Sequence, residues 1–194
     1  KVLEKIWGDW EKFASYAFNK SHATCYSWVA YQTAYVKAHY PAEFMAALMT
    51  RRFSQITEIT KLMEECKALK ISTLGPDVNE SQIGFGGNKK GEIRFGLSAI
   101  KGMGTPAAEA IVSEREKNGP YKDIFDFAER VNLANVNRKA FESLAYSGGF
   151  DGFGVMREQF FTPNAKGELF IDLLVRYGQK YQMDKANAGL CLFG

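Results

Sequence analysis

Glycine and proline punctuation limits this chain more than any other feature. Breakers are sparse over residues 1–70 and then recur at Leu74-Gly75-Pro76-Asp77, Gly102-Met103-Gly104, Gly119-Pro120 and Ser147-Gly148-Gly149. A helix interior tolerates these residues least, because glycine adds backbone entropy and proline removes a donor. Residues 1–70 are therefore expected to be helical almost throughout, and residues 98–150 to be short helices joined by tight turns. Ser21 is expected to cap a helix over roughly 22–38. Its Cys25, Tyr26, Trp28, Val29, Tyr31, Tyr35 and Val36 fall on nearly every face, which predicts a helix enclosed by other elements. Pro41 suits the first position of the next helix. Ser54 is the expected cap of a third, with Ile56, Ile59, Leu62, Met63, Cys66 and Leu69 at helical spacing. Ile83-Gly84-Phe85 and Glu92-Ile93-Arg94-Phe95 alternate around Gly87-Asn88-Lys89-Lys90-Gly91, the pattern of a β-hairpin at about 83–97. After Asp151 the pattern weakens to one helix over about 167–177 and a polar stretch over 179–188. The fold class is mainly α with a small β-hairpin.

Charge sharpens this outline. The 194 residues carry 25 Lys and Arg against 22 Asp and Glu, a net +3 too mild by itself to argue for nucleic acid. The excess lies within residues 1–72; residues 101–150 balance at seven of each sign. Residues 12–42 contain no carboxylate, yet hold Lys12, Lys20, Lys37 and both histidines, His22 and His39. Three scattered cysteines, Cys25, Cys66 and Cys191, argue against a disulfide scaffold and for a reducing cytoplasm. No apolar run approaches the length of a membrane span. The start at Lys1 and the end on Leu192-Phe193-Gly194 read as a piece of something longer.

The residues 97–111 carry the clearest chemistry. A helical stretch leads into Lys101-Gly102-Met103-Gly104, and Thr105 and Pro106 suit the cap and first turn of a fresh helix. Two glycines leave room for a large anion to approach backbone amides that point outward together. This is the pattern of a helix-hairpin-helix motif, which holds a DNA backbone phosphate without reading bases; a plain helical hairpin fits it as well. Lys101 adds charge there, and Lys101, Gly102, Met103, Gly104 and Thr105 are the candidate DNA contacts. A second hairpin is expected between a helix at Asp123-Ile124-Phe125-Asp126-Phe127-Ala128 and one from Asn137, where Arg138 and Lys139 are further candidates or simply solvated. Lys20, Ser21 and His22 offer several donors to one anion, a triphosphate being a good fit, while a lone histidine beside a helix cap also serves as a plain structural donor. No Asp-x-Asp pair, P-loop or H-E-x-x-H occurs, and no metal-ligand spacing is present. Two-metal phosphoryl transfer needs converging carboxylates, so no self-sufficient active site is legible.

Three function classes are open at this point: part of a polymerase, a non-catalytic helix-hairpin-helix module of a repair or scaffold protein, and a protein-interaction domain. Tyr16-Ala17-Phe18-Asn19-Lys20-Ser21-His22-Ala23, then Val29-Ala30-Tyr31-Gln32-Thr33-Ala34-Tyr35 and Lys37-Ala38-His39-Tyr40-Pro41-Ala42-Glu43-Phe44-Met45, resemble the fingers of the bacterial C-family replicative polymerases. These are the DNA polymerase III alpha subunits. Pro76-Asp77-Val78-Asn79, Ile100-Lys101-Gly102-Met103-Gly104 and Ser147-Gly148-Gly149-Phe150-Asp151 recur in that family in the same order, so the resemblance covers about residues 1–151.

The resemblance implies a fingers region over 1–100, a tandem helix-hairpin-helix module over 101–151, and a C-terminal helix and linker over 152–194. It implies that Asn19, Lys20, Ser21 and His22 lie near the incoming deoxynucleoside triphosphate, and that duplex DNA runs along the hairpins. The catalytic aspartates and their Mg²⁺ belong to a palm outside this sequence, so the piece alone is expected to be inactive. Partners implied are primer-template DNA, the nucleotide, the rest of the polymerase III holoenzyme and the sliding clamp, in the bacterial cytoplasm. The sequence departs from the family at Ala17, where glycine is usual, and at Gly189, where a clamp-binding peptide has glutamine; Leu192 and Phe193 keep its apolar plug, so Leu190, Leu192 and Phe193 are the candidate clamp contacts, and a plain linker fits the same residues.

Overall fold

A computed structural model of the chain describes residues 1–16 and 20–188. Two units are distinguished, Lys1–Pro41 and Ala42–Gly194. The first holds α1 (Val2–Tyr16) and α2 (Lys20–His39). Leu3, Ile6, Trp7, Trp10 and Phe13 repeat at helical spacing in α1 and are all exposed. In α2 no residue is buried, so the expected enclosure of this helix is not met by anything among the described residues. Its aromatic side chains instead line up along the helix, Trp28 to Tyr31 to Tyr35 to His39, with ring centroids 6.3, 6.4 and 4.2 Å apart. Ser21 is not the cap expected of it. The backbone is already helical at Lys20, whose carbonyl accepts the Thr24 hydroxyl at 2.8 Å, one turn on.

The second unit has two apolar clusters. The smaller joins α3 (Pro41–Arg51), α4 (Ile56–Ala68) and a small sheet through Met45, Met49, Ile59, Cys66, Phe85 and Ile93. Pro41 opens α3 as expected. Ser54 does not cap α4: Gln55 holds the cap position without a side-chain bond. The helix ends with Lys70 at φ +59°, which lets the Ile71 amide reach the Cys66 carbonyl at 2.9 Å and the Lys70 amide the Lys67 carbonyl at 3.1 Å. This six-to-one closure satisfies carbonyls that a helix end otherwise leaves open.

The expected hairpin is present but shorter and displaced. β2 (Gly86–Gly87) pairs antiparallel with β3 (Ile93–Arg94), with Gly87 opposite Ile93, and Ile83-Gly84-Phe85 precedes the strand rather than forming it. Beyond the strands, Gly96 lies so close to the Gly84 backbone that there is no room for a Cβ on Gly96. A third strand that the pattern did not announce, β1 (Thr73–Leu74), runs parallel to β3 on its other side.

The larger cluster is built by α5 (Thr105–Asn118), α6 (Ile124–Arg130), α7 (Arg138–Ser147) and α8 (Phe170–Ala188). Phe127, Phe141 and Phe150 meet edge to face at its centre, with centroids 5.4 and 5.1 Å from Phe127. Such pairs add to the burial of large apolar surfaces. Helix α8 continues through residues 179–188, which the sequence pattern assigned to a polar stretch. It does so because Gly178 lets it press on Ala128, and the Gln182 amide donates to the Val131 carbonyl at 2.8 Å. The segment Pro76-Asp77-Val78-Asn79 is a clip on this cluster. Asn79 exchanges two hydrogen bonds of 2.8 Å with the Tyr121 backbone, and the buried Arg115 donates to the carbonyls of Val78 and Ser81 at 2.9 and 2.8 Å.

Candidate nucleic-acid interface

The first hairpin lies between a one-turn 3-10 helix, Leu97–Ala99, and α5. The incoming element is thus shorter than the α-helix the pattern suggested. Gly102 sits at φ +88°, a conformation that side-chain-bearing residues rarely adopt, and turns the chain. Met103 is buried and its amide donates to the Ile100 carbonyl at 3.0 Å, so this residue anchors the turn instead of facing outward. Gly104, extended at φ −82° and ψ 152°, is the cap of α5; Thr105 is its first residue, not the cap expected. The Gly104 carbonyl accepts from Ala107 and Ala108 at 3.1 Å. Among the described residues, the amides of Lys101, Gly102, Gly104 and Thr105 meet no acceptor. Lys101, Gly102, Gly104 and Thr105 are exposed. The turn therefore presents several unsatisfied donors at the positive end of a 14-residue helix.

The second hairpin, between α6 and α7, is built differently. Asp123 caps α6, accepting from the amides of Phe125 and Asp126 at 2.8 and 2.9 Å. In the turn the Asn132 side chain accepts from Ala134 at 3.0 Å, and its carbonyl accepts from Asn135 and Val136 at 3.0 and 2.8 Å. Asn137 caps α7 through the Ala140 amide at 3.1 Å. Like the first turn, this one leaves donors open: among the described residues the amides of Asn132, Leu133, Asn137, Arg138 and Lys139 meet no acceptor. The Arg138 side chain, however, is engaged: its guanidinium pairs with Asp172 at 2.7 Å and Glu142 at 3.0 Å, and these carboxylates hold its pKa up. Lys139 points elsewhere. Its Cε lies 3.4 Å from where a Cβ on Gly102 would stand, so the structure brings it to the first hairpin. Ser143, which nothing in the local pattern singled out, puts its Oγ 2.7 Å from the same point.

Lys20, Ser21 and His22 are exposed on the first described turn of α2, where the His22 and Tyr26 rings stand 4.3 Å apart. Asn19 lies outside the described residues, as do Leu190, Leu192 and Phe193. No three His, Cys, Asp or Glu side chains among the described residues come together as a metal-holding set. No helix among them is long and apolar enough to cross a membrane.

Comparison with known proteins agrees with this architecture. Residues 70–160, which contain both hairpins, match the family model described as a helix-hairpin-helix motif. The chain is 47% identical over 157 residues to the DNA polymerase III subunit alpha of Pasteurella multocida, covering 81% of this chain and 14% of that protein. It is 38% identical over all 194 residues to the subunit of Vibrio cholerae, 16% of that protein's length. The subunit of Escherichia coli K12 is 44% identical over 157 residues, again 14% of its length. These relatives do not favour a repair or scaffold module. The chain spans about one seventh of the proteins it matches, and over that segment it belongs to the DNA polymerase III alpha-subunit family.

Proposed function

We propose that this chain is the part of a replicative DNA polymerase that holds duplex DNA by its backbone and meets the incoming nucleotide. The observation that carries the reading is the 102–105 turn, with its open amides and exposed Lys101. Amides at a helix start, plus a lysine, suit a phosphate oxygen and carry no base information. With charges balanced over residues 101–150, affinity rests on a few phosphate contacts. Lys20, Ser21 and His22, with Asn19, are assigned to the triphosphate, in a stretch free of carboxylates that would repel it. Duplex and deoxynucleoside triphosphate are thus the ligands, and template-directed synthesis in the bacterial cytoplasm is the activity of the longer protein. The catalytic Mg²⁺ belongs to other parts of that protein. Residues 152–194 link onward, and Leu190, Leu192 and Phe193 are the proposed contacts to a sliding clamp. The supporting test is titration of a fluorescent duplex with the 194-residue chain. Lys101→Glu is expected to weaken binding about tenfold or more at low salt, since it reverses a charge beside the phosphate. Unchanged binding would overturn the reading.

A further inference from the structure

Away from the hairpins, a groove of the second unit lies between one face of α4 and the segment 70–73 that leads into β1. Its volume is about 520 Å³, within the range of about 300–1,000 Å³ common to ligand clefts. Thr60, Met63 and Lys67 share that face of α4 at helical spacing, and Met63 and Ile71 supply an apolar lining. Among the described residues, β1 has one neighbour in the sheet, β3, and is therefore an edge. The amides of Ile93 and Phe95 donate to the carbonyls of Ser72 and Leu74 at 2.8 and 3.0 Å, so the intervening Thr73 turns its own amide and carbonyl away from β3. Neither group meets a partner among the described residues, and Thr73 also lines the groove. An open edge of this kind is a template for an extended backbone.

Charge selects the occupant. Lys67 and Lys70 stand where α4 ends, exposed and without an ion pair among the described residues. Glu64, about one turn earlier, is the one carboxylate of the lining and is likewise unpaired, so the lysine end attracts an acidic side chain and the other end repels it. Lys70 carries a second sign. Among the described residues it is the sole non-glycine with positive φ, at +59°. Glycine would end α4 without that strain, so stability is given up for a lysine whose side chain holds nothing within the chain. Strain of this kind gathers where a residue serves binding.

We propose that the groove between α4 and β1 docks an extended acidic segment of a partner protein, which adds a strand to the outer edge of β1 and brings a carboxylate to Lys67 and Lys70. Backbone pairing at Thr73 orients the segment, the lining around Met63 takes an apolar side chain, and the lysines select an acidic one beside it. The outward amide and carbonyl of Thr73 match the alternating donors and acceptors of a peptide. A phosphodiester backbone has no donors, so nucleic acid is the poorer fit.

The test is binding of a fluorescent peptide of alternating valine and aspartate to the 194-residue chain, read by anisotropy and by the Thr73 amide shift in NMR. The peptide is expected to move the Thr73 amide, and a Lys67→Glu, Lys70→Glu double variant to weaken binding about tenfold or more at low salt. Lys70→Gly is expected to weaken binding about threefold while raising the unfolding midpoint, a split that a merely structural lysine does not give. Thr73→Pro removes the outward amide and is expected to cost about threefold to tenfold, more than Thr73→Val, which keeps it. Should Thr73→Pro unfold the chain, the same loss is expected when the unmodified chain meets the peptide N-methylated at alternate residues. Glu64→Gln removes the repulsion and should raise affinity by about twofold. Three results would each overturn the site: no binding or no Thr73 shift at peptide concentrations on the order of millimolar, equal binding of an alternating valine and lysine peptide, or displacement of the acidic peptide by single-stranded oligothymidylate.

Discussion

At the residue scale, two positions show how a left-handed backbone is used for opposite purposes. Gly102, at φ +88°, is crowded by the Ser143 hydroxyl, so Gly102→Ala must both adopt a costly conformation and turn that hydroxyl aside. A destabilisation of about 1–3 kcal/mol is expected for such enforced strain, read as a lowered midpoint in urea, with duplex binding weakened at every salt concentration. Lys70, at φ +59°, has the same handedness but ends α4 as a lysine where glycine would be unstrained. Lys70→Gly is therefore expected to raise stability by a few tenths to about 1 kcal/mol. A loss of stability in urea melts would show that the lysine side chain holds something the backbone argument omits.

Elements depend on groups that bind several of them at once, and Arg130 is the clearest. From the end of α6 it pairs with Glu114 of α5 at 3.0 Å and Asp126 at 2.9 Å, donates to the carbonyls of Gly119 and Pro120 at 2.7 and 3.1 Å, and covers the Tyr121 ring at 4.6 Å. Burial pushes the Asp126 carboxyl upward, but the Lys122 amide and Arg130 outweigh it and hold the group below its ordinary value. A depressed carboxylate stabilises the fold above its unfolded pKa of about 3.9 and loses that contribution as pH falls toward the folded value. Arg130→Met is thus expected to cost about 2–4 kcal/mol at pH 7 through stranded carboxylates and carbonyls, and less at pH 3. An equal cost at both pH values in urea melts would contradict the account. The positions of α6 and α7 were legible because apolar-periodic runs follow Asp123 and Asn137, although the sequence reading did not single these two out as the caps they are. Ser21 and Thr105 were misread because both already lie in helical backbone, and Ser54 because it stands one residue before the cap position, which Gln55 holds. Strand β1 and the end of α8 were illegible for a related reason: two residues carry no period, and the contact of α8 with Ala128 and Val131 is tertiary. The glycine turn of the site could be read locally, whereas Ser143 reaches it only through the packing of α7.

For the molecule as a whole, the distribution of burial separates what folds from what is presented. Every described apolar residue that is buried lies from Ala42 to Leu174, in the second unit. The first unit displays Trp7, Trp10, Trp28, Tyr31 and Tyr35 to solvent, an apolar exposure that ordinary monomers avoid. Because folding free energy comes mainly from apolar area removed from water, residues 1–39 add little to the stability of the rest. A chain beginning at Tyr40, which keeps Pro41 at the start of α3, is expected to unfold cooperatively with a midpoint within a few degrees of the 194-residue chain, about 1 kcal/mol or less. Hydrogen exchange should agree: amides of α2 are expected to exchange long before those of α6 and α7, whose side chains form the phenylalanine cluster. The shortened chain should also keep its duplex affinity, since the 102–105 turn, Lys101 and Lys139 all remain. Loss of cooperative unfolding on truncation would mean that the aromatic helices are structural after all. Retained folding with lost duplex binding would move the main DNA contact from the hairpins to the carboxylate-free run of residues 12–42.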